Sequence, residues 1–262
     1  MAPFRAIAWP GASWIVLGLC LVGTILGWQI SLSQAHNRAG DRFQQNSSTV
    51  QQAIGSRIRS YEQLLKGARG LFAASRSVER EEWTAYVTSL GIQTRYPGIS
   101  AMGFIARVSP ADREEFVKSN RLAYASLNQG AGYTIFPPGD RRSYSVVQYV
   151  YPEESNLEFL GYDIATEPRR NEAAEAARDT GEAALTRRIR IGPQDHRPAV
   201  IMLLPVYRND TSPTNKEERM VALEGWVYAS FIMEELMAGL IESSDLEIDF
   251  EIFDDYKISV PG

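Results

Sequence analysis

An uncharged, strongly apolar stretch opens the chain. No charged side chain occurs from Ile7 to Leu32, and the segment from Ala12 to Trp28 is mainly aliphatic. A run of about 20 apolar residues is long enough for a helix to cross the hydrocarbon core of a bilayer. The pattern predicts a transmembrane helix within residues 1–34, and a cleaved signal peptide ending near Ser33-Gln34-Ala35 is the alternative.

A helical repeat follows this stretch. Between residues 35 and 76, apolar residues recur at spacings of three and four, which places them along one stripe of a helix. We interpret the segment as a long stalk helix. Two partners suit its apolar stripe equally: the stripe of a second copy, in a short coiled coil, or the domain that follows in the same chain. The stripe consists of Ile54, Ile58, Tyr61, Leu65, Ala68 and Phe72.

Beyond the stalk, helical and strand patterns mix without regular βαβ alternation. This order disfavours a parallel sheet. The predicted fold class is therefore α+β, with antiparallel sheets after the transmembrane and stalk helices. The predicted helices cover 77–91, 109–121, 166–181 and 234–241, and the predicted strands cover 99–108, 144–151, 183–191, 199–207, 221–231 and 246–253.

Composition and charge narrow the classes of function. The chain has 27 Lys and Arg against 32 Asp and Glu, a net charge of −5. Without a broad basic surface, nucleic-acid binding is not expected. One cysteine, Cys20, and two histidines leave no disulfide and no Cys-rich or His-rich metal site. Phosphate-binding loops, nucleophile elbows and zinc helices do not occur in the sequence, so we expect no cofactor, no metal and no enzyme activity.

Short motifs occur in a characteristic order between residues 69 and 253. They are Arg69-Gly70-Leu71-Phe72, Tyr96-Pro97-Gly98-Ile99, Gly103-Phe104, Gly161-Tyr162-Asp163, Thr180-Gly181, Ala184-Leu185-Thr186, Leu204-Pro205-Val206-Tyr207 and the run from Gly225 to Phe231. In this order and spacing they resemble the CHASE domain, the extracytoplasmic sensor module of bacterial membrane receptors and of plant cytokinin-receptor histidine kinases.

The resemblance implies an organisation for the whole chain. A membrane-distal PAS-like subdomain at 77–231 would bind a small molecule, and a membrane-proximal PAS-like subdomain would begin at 232–262. The resemblance also implies a homodimer joined through the stalk helix and a position on the periplasmic or extracellular side. The signal would reach a cytoplasmic kinase or diguanylate cyclase domain, of which the chain carries no signature. We therefore expect the sensor part of a longer receptor.

The resemblance also marks candidate ligand-binding residues. Asp163 matches an aspartate that, in the plant receptors, hydrogen-bonds the nitrogen-rich ring of the ligand. The alternative role of Asp163 is to form the turn before the helix that begins at Pro168. For the apolar strand positions, ordinary burial in the core is the alternative. The other positions that match the pocket strands are Leu185, Thr186, Leu203, Trp226 and Ala229.

The chemistry of an aspartate sets the expected ligand class. An ionised carboxylate accepts hydrogen bonds, so it selects ligands that offer N–H donors or positive charge. We expect an amine, a purine-like or an amino-acid-like ligand. Trp226 would either stack on a planar ligand or fill the pocket. The competing hypothesis is a membrane-anchored structural or interaction protein that uses a PAS-like scaffold without a ligand.

Overall fold

A computed structural model describes residues 10–125, 132–192 and 197–236 of the chain. The chain divides into two compact units, Met1–Ala53 and Ile54–Gly262. The helices are α1 (Pro10–Ala74), α2 (Arg80–Leu90), α3 (Ile92–Arg95), α4 (Arg113–Ala123), α5 (Pro168–Thr180) and α6 (Lys216–Ala222). The strands are β1 (Ile99–Val108), β2 (Tyr144–Tyr151), β3 (Ala184–Leu185), β4 (Ile189–Arg190), β5 (Pro198–Tyr207) and β6 (Leu223–Ile232).

One antiparallel sheet organises the second unit. Its strands lie in the order β2-β1-β6-β5-β3, and β4 pairs with the beginning of β5. The long strands β1, β5 and β6 are buried along nearly their whole length. Such strands need cover on both faces, because each face carries every second side chain. The predicted mixed fold with an antiparallel sheet is confirmed.

The end of α1 covers one face of the sheet. Phe72 stacks on Phe104 of β1 with ring centroids 4.3 Å apart, and Tyr61 lies 4.6 Å from the ring of Phe231 in β6. Leu65 is fully buried in the same cluster. From Tyr61 onwards, the apolar stripe therefore packs on its own domain, which is the second of the two alternatives that its spacing left open.

Helix α5 covers the opposite face. Its buried alanines, Ala173, Ala174 and Ala177, let the helix backbone lie close to the strands. The indole Nε1 of Trp226 in β6 donates a hydrogen bond to the carbonyl of Ala174 at 2.9 Å. Gly181 ends the helix with a φ of 82°, in the left-handed region that favours glycine. The predicted helix at 166–181 is confirmed.

Thr186 divides a predicted strand. The sequence predicts one strand at 183–191, whereas the structure has the two short strands β3 and β4. The amide of Thr186 donates to the carbonyl of Ile201, but the amide of Ile201 donates to the Thr186 hydroxyl at 3.0 Å. A side chain thus replaces a backbone carbonyl in the ladder, and the regular pairing stops there.

The polar connection before β6 contains a helix that the sequence did not predict. No helix is predicted between the strands at 199–207 and 221–231, yet α6 begins at Lys216. The side chain of Asn215 accepts a hydrogen bond from the amide of Glu218 at 2.9 Å and so caps the helix. Capping residues, rather than an apolar stripe, define this short helix.

The predicted membrane span has no counterpart in the described part of the chain. Among those residues, no helix combines the length and the apolar character that crossing a membrane requires. The transmembrane part of the predicted fold class therefore lacks structural support.

Some predictions fall outside the described residues. The strand at 246–253, most of the helix at 234–241 and most of the membrane-proximal subdomain at 232–262 lie beyond Leu236, the last described residue. These three remain predictions.

Gly103 allows a close approach at the centre of the sheet and supplies a test of the fold. A Cβ at this position would lie 2.1 Å from the Tyr149 carbonyl oxygen and 2.5 Å from Cε1 of Tyr228. Gly103→Ala is expected to lower the free energy of unfolding by about 3 kcal/mol, because backbone and ring must both move. Tryptophan-fluorescence unfolding of the full chain in detergent micelles measures the change.

Gly70→Ala is the matched control for that substitution. Gly70 lies in α1 with nothing within 4 Å of the added Cβ. Replacing a mid-helix glycine by alanine stabilises a protein by roughly 0.5–1 kcal/mol. If the Gly103→Ala and Gly70→Ala variants unfolded at the same midpoint, the close approach at Gly103 would be contradicted.

Candidate ligand-binding site

A small cavity lies on the α5 side of the sheet. Its volume is about 30 Å³, which leaves room for about two water molecules. The strand residues that line it, here called the floor, are Ala101, Ile105, Val147, Ile201, Leu203, Tyr228 and Ser230. The residues that close it from above, here called the cover, are Asn156, Phe159, Ile164, Arg170 and Ile191.

Strand register brings the floor together. In the β5–β6 pairing, Leu203 lies opposite Tyr228 and Ile201 lies opposite Ser230. In the β1–β6 pairing, Ala101 lies opposite Ser230. Because side chains alternate along each strand, these residues share one face of the sheet. The floor is therefore a consequence of pairings between segments far apart in the sequence.

Tyr228 supplies a polar group on this mainly apolar floor. Its ring lies over Gly103, where a Cβ would collide with it. Burial raises the pKa of the Tyr228 phenol, and the Arg170 cation opposes only part of that rise. The hydroxyl therefore stays protonated at neutral pH and can donate a hydrogen bond.

Arg170 supplies a charge from the cover. It lies in the first turn of α5 and is only 7% exposed. Its Nη2 donates to the carbonyls of Arg190 at 3.0 Å and Ile191 at 2.9 Å, and its guanidinium carbon lies 5.2 Å from the centre of the Tyr162 ring. Its Nε is buried and has no hydrogen-bond partner. The two Nη2 hydrogen bonds thus hold the guanidinium in place, while the Nε hydrogen has no acceptor.

Two connecting segments form the rest of the cover. Phe159 and Ile191 are both half-buried. The ring of Phe159 rests against Gly192, where a Cβ would lie 3.0 Å from Cζ. Asn156 holds its own turn by donating from Nδ2 to the Pro152 carbonyl at 2.8 Å. The cover over this side of the cavity therefore depends on side-chain packing rather than on a long strand.

Of the candidate residues from the sequence, Leu203 lines the cavity. Trp226 and Tyr228 share a face of β6, but the Trp226 indole is bound to α5 and lies outside the lining. Thr186 is buried in the β5 ladder, and Leu185 is 45% exposed on the edge strand β3. Ala229 belongs to the core on the opposite, α1-facing side. The structure therefore does not bring these residues together around one cavity.

Asp163 is fully buried beside the cavity without lining it. Its Oδ1 accepts hydrogen bonds from the amides of Ser145 at 2.9 Å and Ala165 at 3.2 Å. Its Oδ2 lies 3.4 Å from Nε of Arg141 and makes no hydrogen bond. In this arrangement the carboxylate joins β2 to the turn before α5, as the turn-forming alternative requires. Contact between Asp163 and a ligand remains a prediction.

Sequence reasoning missed the polar groups of the cavity. Arg170 stands in a polar run at a helix start, a pattern that indicates a solvent-facing side chain. Tyr228 was taken only as part of a strand. No local signal marks either residue, because their burial depends on partners distant in the sequence.

The lining combines an apolar surface with a few polar groups. Apolar side chains predominate, and the polar ones are Asn156, Arg170, Tyr228 and Ser230. Over residues 10–125, 132–192 and 197–236, no cluster of three or more His, Cys, Asp or Glu side chains is arranged to hold a metal ion. A few polar groups converging on an apolar surface are typical of small-molecule sites.

Comparison with known proteins agrees with this architecture. Residues 76–260 match the family model of the CHASE domain. The chain is also 26% identical over 161 residues to "Probable histidine kinase 4" of Oryza sativa subsp. japonica. That alignment covers 60% of this chain and 15% of the rice protein, so the chain spans a small part of that relative. Because the family match covers more than half of the 262 residues, the chain belongs to the CHASE domain family of receptor sensor domains.

Proposed function

We propose that this chain is the ligand-sensing part of a membrane receptor and that its ligand binds in the cavity between the sheet and α5. The observation that carries the proposal is the lining itself: an apolar floor on which a buried arginine and a buried tyrosine converge. The family match supports a sensor role, since CHASE domains are sensors of receptor kinases. The output domain would be a cytoplasmic kinase or diguanylate cyclase.

The small volume of the cavity requires the cover to move. Ligand pockets commonly enclose about 300–1,000 Å³, whereas this cavity measures about 30 Å³. We therefore interpret the structure as a closed arrangement of the cover. Phe159 and Ile191, which lie on short connecting segments, would move outward to admit the ligand. A ligand that binds the open arrangement more tightly shifts the population toward it.

A route from the cover to α1 supports a signalling role. Glu153, three residues before Asn156, is bound by Arg80 of α2 through two contacts of 2.6 and 3.0 Å. Trp83 of the same helix lies 6.0 Å from Phe72 of α1. Displacement of the 152–160 segment would thus pull on a helix that packs against the end of α1.

We also propose that the N-terminal segment attaches the domain to a membrane, with the sensor outside the cytoplasm. Residues Ile7 to Leu32 include no charged side chain. Seven large apolar side chains in this part of α1 are 50–73% exposed, which is unfavourable in water unless lipid or protein covers them. They are Trp14, Leu17, Leu19, Leu21, Val22, Ile25 and Trp28.

We also propose a homodimer, in which only the part of α1 that precedes the domain core is available as an interface. The apolar stripe is committed to the domain core from Tyr61 onwards. Ile58, with 37% exposure, lies just before this point. A seam between two stalk helices would therefore use residues that precede Tyr61.

The small cavity also favours the second candidate, an interaction domain that binds no small molecule. The two candidates differ in one measurable property, which is the response of the folded chain to compounds. A binder present at 100 times its Kd adds about 2.7 kcal/mol to the free energy of unfolding. Thermal unfolding of the full chain in detergent, against amines, purines, amino acids and carboxylates, makes this comparison.

Filling the cavity tests the location of the site. Ala101→Val places two extra carbons in a space of about 30 Å³ and should raise the Kd of any bound compound by about tenfold or more. Leu203→Phe fills the same space from β5 and should raise the Kd by a similar factor. Ala176→Val, on the exposed side of α5, is the matched control and should leave the Kd unchanged. Undiminished binding by both filled variants would place the site elsewhere.

Replacing Asp163 separates a structural role from ligand contact. Asp163→Ala leaves the buried amides of Ser145 and Ala165 without an acceptor, at a cost of roughly 2–4 kcal/mol in unfolding free energy. Asp163→Asn keeps an oxygen for both amides and should cost less. Asp140→Ala, at a fully exposed carboxylate, should change stability by no more than about 0.5 kcal/mol.

Binding measurements on the same variants complete that test. If Asp163 only holds the turn, the Asp163→Asn variant responds to ligand like the parent protein. Parent-like stability combined with a lost ligand response would instead identify Asp163 as a ligand contact.

Membrane attachment is tested by alkaline extraction of cell membranes. The parent chain should stay in the membrane pellet, and Leu19→Asp with Val22→Asp should move it to the supernatant, since each buried charge costs about 2.5–3.5 kcal/mol in a bilayer. Gln51→Asp with Gln52→Asp, on exposed positions, is the control. Release of the parent chain by alkali would contradict the proposed anchor. Degradation of the domain by protease added to intact spheroplasts would support its extracytoplasmic position.

A further inference from the structure

We infer that the ligand of this cavity is a small monocarboxylate whose carboxylate binds Arg170 and whose hydrocarbon part lies on the floor. The inference rests on the proposed ligand-binding function of the cavity. Of the expected amine, purine-like and amino-acid-like ligands, only the amino-acid-like class carries a carboxylate; we favour a carboxylate because the ionic group that lines the cavity is a cation.

The first support is the incomplete hydrogen bonding of Arg170. A guanidinium that is only 7% exposed has lost most of its contact with water. Its Nη2 is satisfied by the Arg190 and Ile191 carbonyls, but Nε has no acceptor. Leaving a buried donor of a charged group unpaired is costly, and a bound carboxylate would supply the missing acceptor.

Glu167, the nearest acidic group, does not fill that role. Its Oε2 lies 4.0 Å from the Nε of Arg170, beyond hydrogen-bond distance. The two carboxylate oxygens instead accept from the backbone amides of Arg169 at 3.2 Å and Arg170 at 2.9 Å, which caps α5. Glu167 therefore reduces the local positive charge without occupying the free donor.

The surroundings of Arg170 favour an anion over a cation. The described lining includes no acidic side chain. Arg170 stands in the first turn of α5, where the helix dipole adds positive potential. Tyr228 lines the same space, and its hydroxyl is a second hydrogen-bond donor. An amine would meet a guanidinium here and gain no ionic partner from the lining.

The floor limits the rest of the ligand to a short hydrocarbon. Ala101, Ile105, Ile201 and Leu203 present only carbon to the cavity. Apolar surface of this kind favours burial of methyl, methylene or aryl groups by about 25 cal/mol per Å². Propionate, isovalerate and benzoate are suitable probes, because each has a neutral amide of nearly the same shape.

The experiment compares each acid with its amide. The Kd is obtained from thermal unfolding of the full chain in detergent as a function of compound concentration. We expect the acid to bind about tenfold or more tightly than the amide, because charged hydrogen bonds are the stronger ones. Arg170→Gln should remove that preference.

Arg169→Gln is the matched control for Arg170→Gln. This substitution removes a positive charge one residue earlier in α5. Like Arg170→Gln, it also removes a side-chain hydrogen bond to a backbone carbonyl, here the carbonyl of Arg188. It should keep the preference for the acid. Should Arg170→Gln fail to fold, Tyr228→Phe retains the ring and should weaken binding of the acid by a few-fold more than binding of the amide, because a charged acceptor forms the stronger hydrogen bond.

The outcomes separate the inference from the proposed function. Equal binding of acid and amide, or a full preference for the acid in Arg170→Gln, would overturn the inference and leave the cavity as a ligand site. If amines or purines bound and no carboxylate did, the inference would likewise be overturned, and the cavity would remain a ligand site. If no compound of any class changed the unfolding temperature, the proposed function would fail and the inference with it.

Discussion

The structure depends on burial of β6 on both of its faces. Successive side chains of this strand point in opposite directions, so Tyr228 and Ser230 face the cavity while Ala229 and Phe231 face α1. Pairing with β1 on one side and β5 on the other fixes the strand in place. The candidate site and the α1 packing surface therefore lie on the two faces of one strand.

This arrangement gives a physical basis for a sensor domain. The cavity is small, and its cover is connected through Glu153 and Arg80 to a helix that packs on α1. The Nε of the buried Arg170 has no hydrogen-bond partner, and Arg170 lines the cavity. A ligand that supplies an acceptor for this Nε would stabilise one arrangement of the cover over another. Differential affinity of that kind is what couples a binding site to a distant output.

The parts of the fold that followed from the sequence are those with strong local patterns. The strands at 99–108 and 144–151 have the predicted bounds, because β-branched and aromatic residues fill them. The prediction of one continuous strand at 183–191 was wrong, because the hydroxyl of Thr186 replaces a backbone carbonyl in the ladder and interrupts the pairing. The partner of the α1 stripe was also undecided from spacing alone, since a stripe shows that a face is buried but not which surface buries it.

The sequence by itself determined the family, the antiparallel fold class and the positions of most helices and strands. Only the tertiary structure decided which side chains line the cavity. The sequence left both ligand contact and turn formation open for Asp163; in the structure the amides of Ser145 and Ala165 donate to one of its oxygens, and Arg170 is the charged residue that lines the cavity. The reason is physical: secondary structure depends on nearby residues, whereas the burial and hydrogen bonding of a charged group depend on segments that only folding brings together.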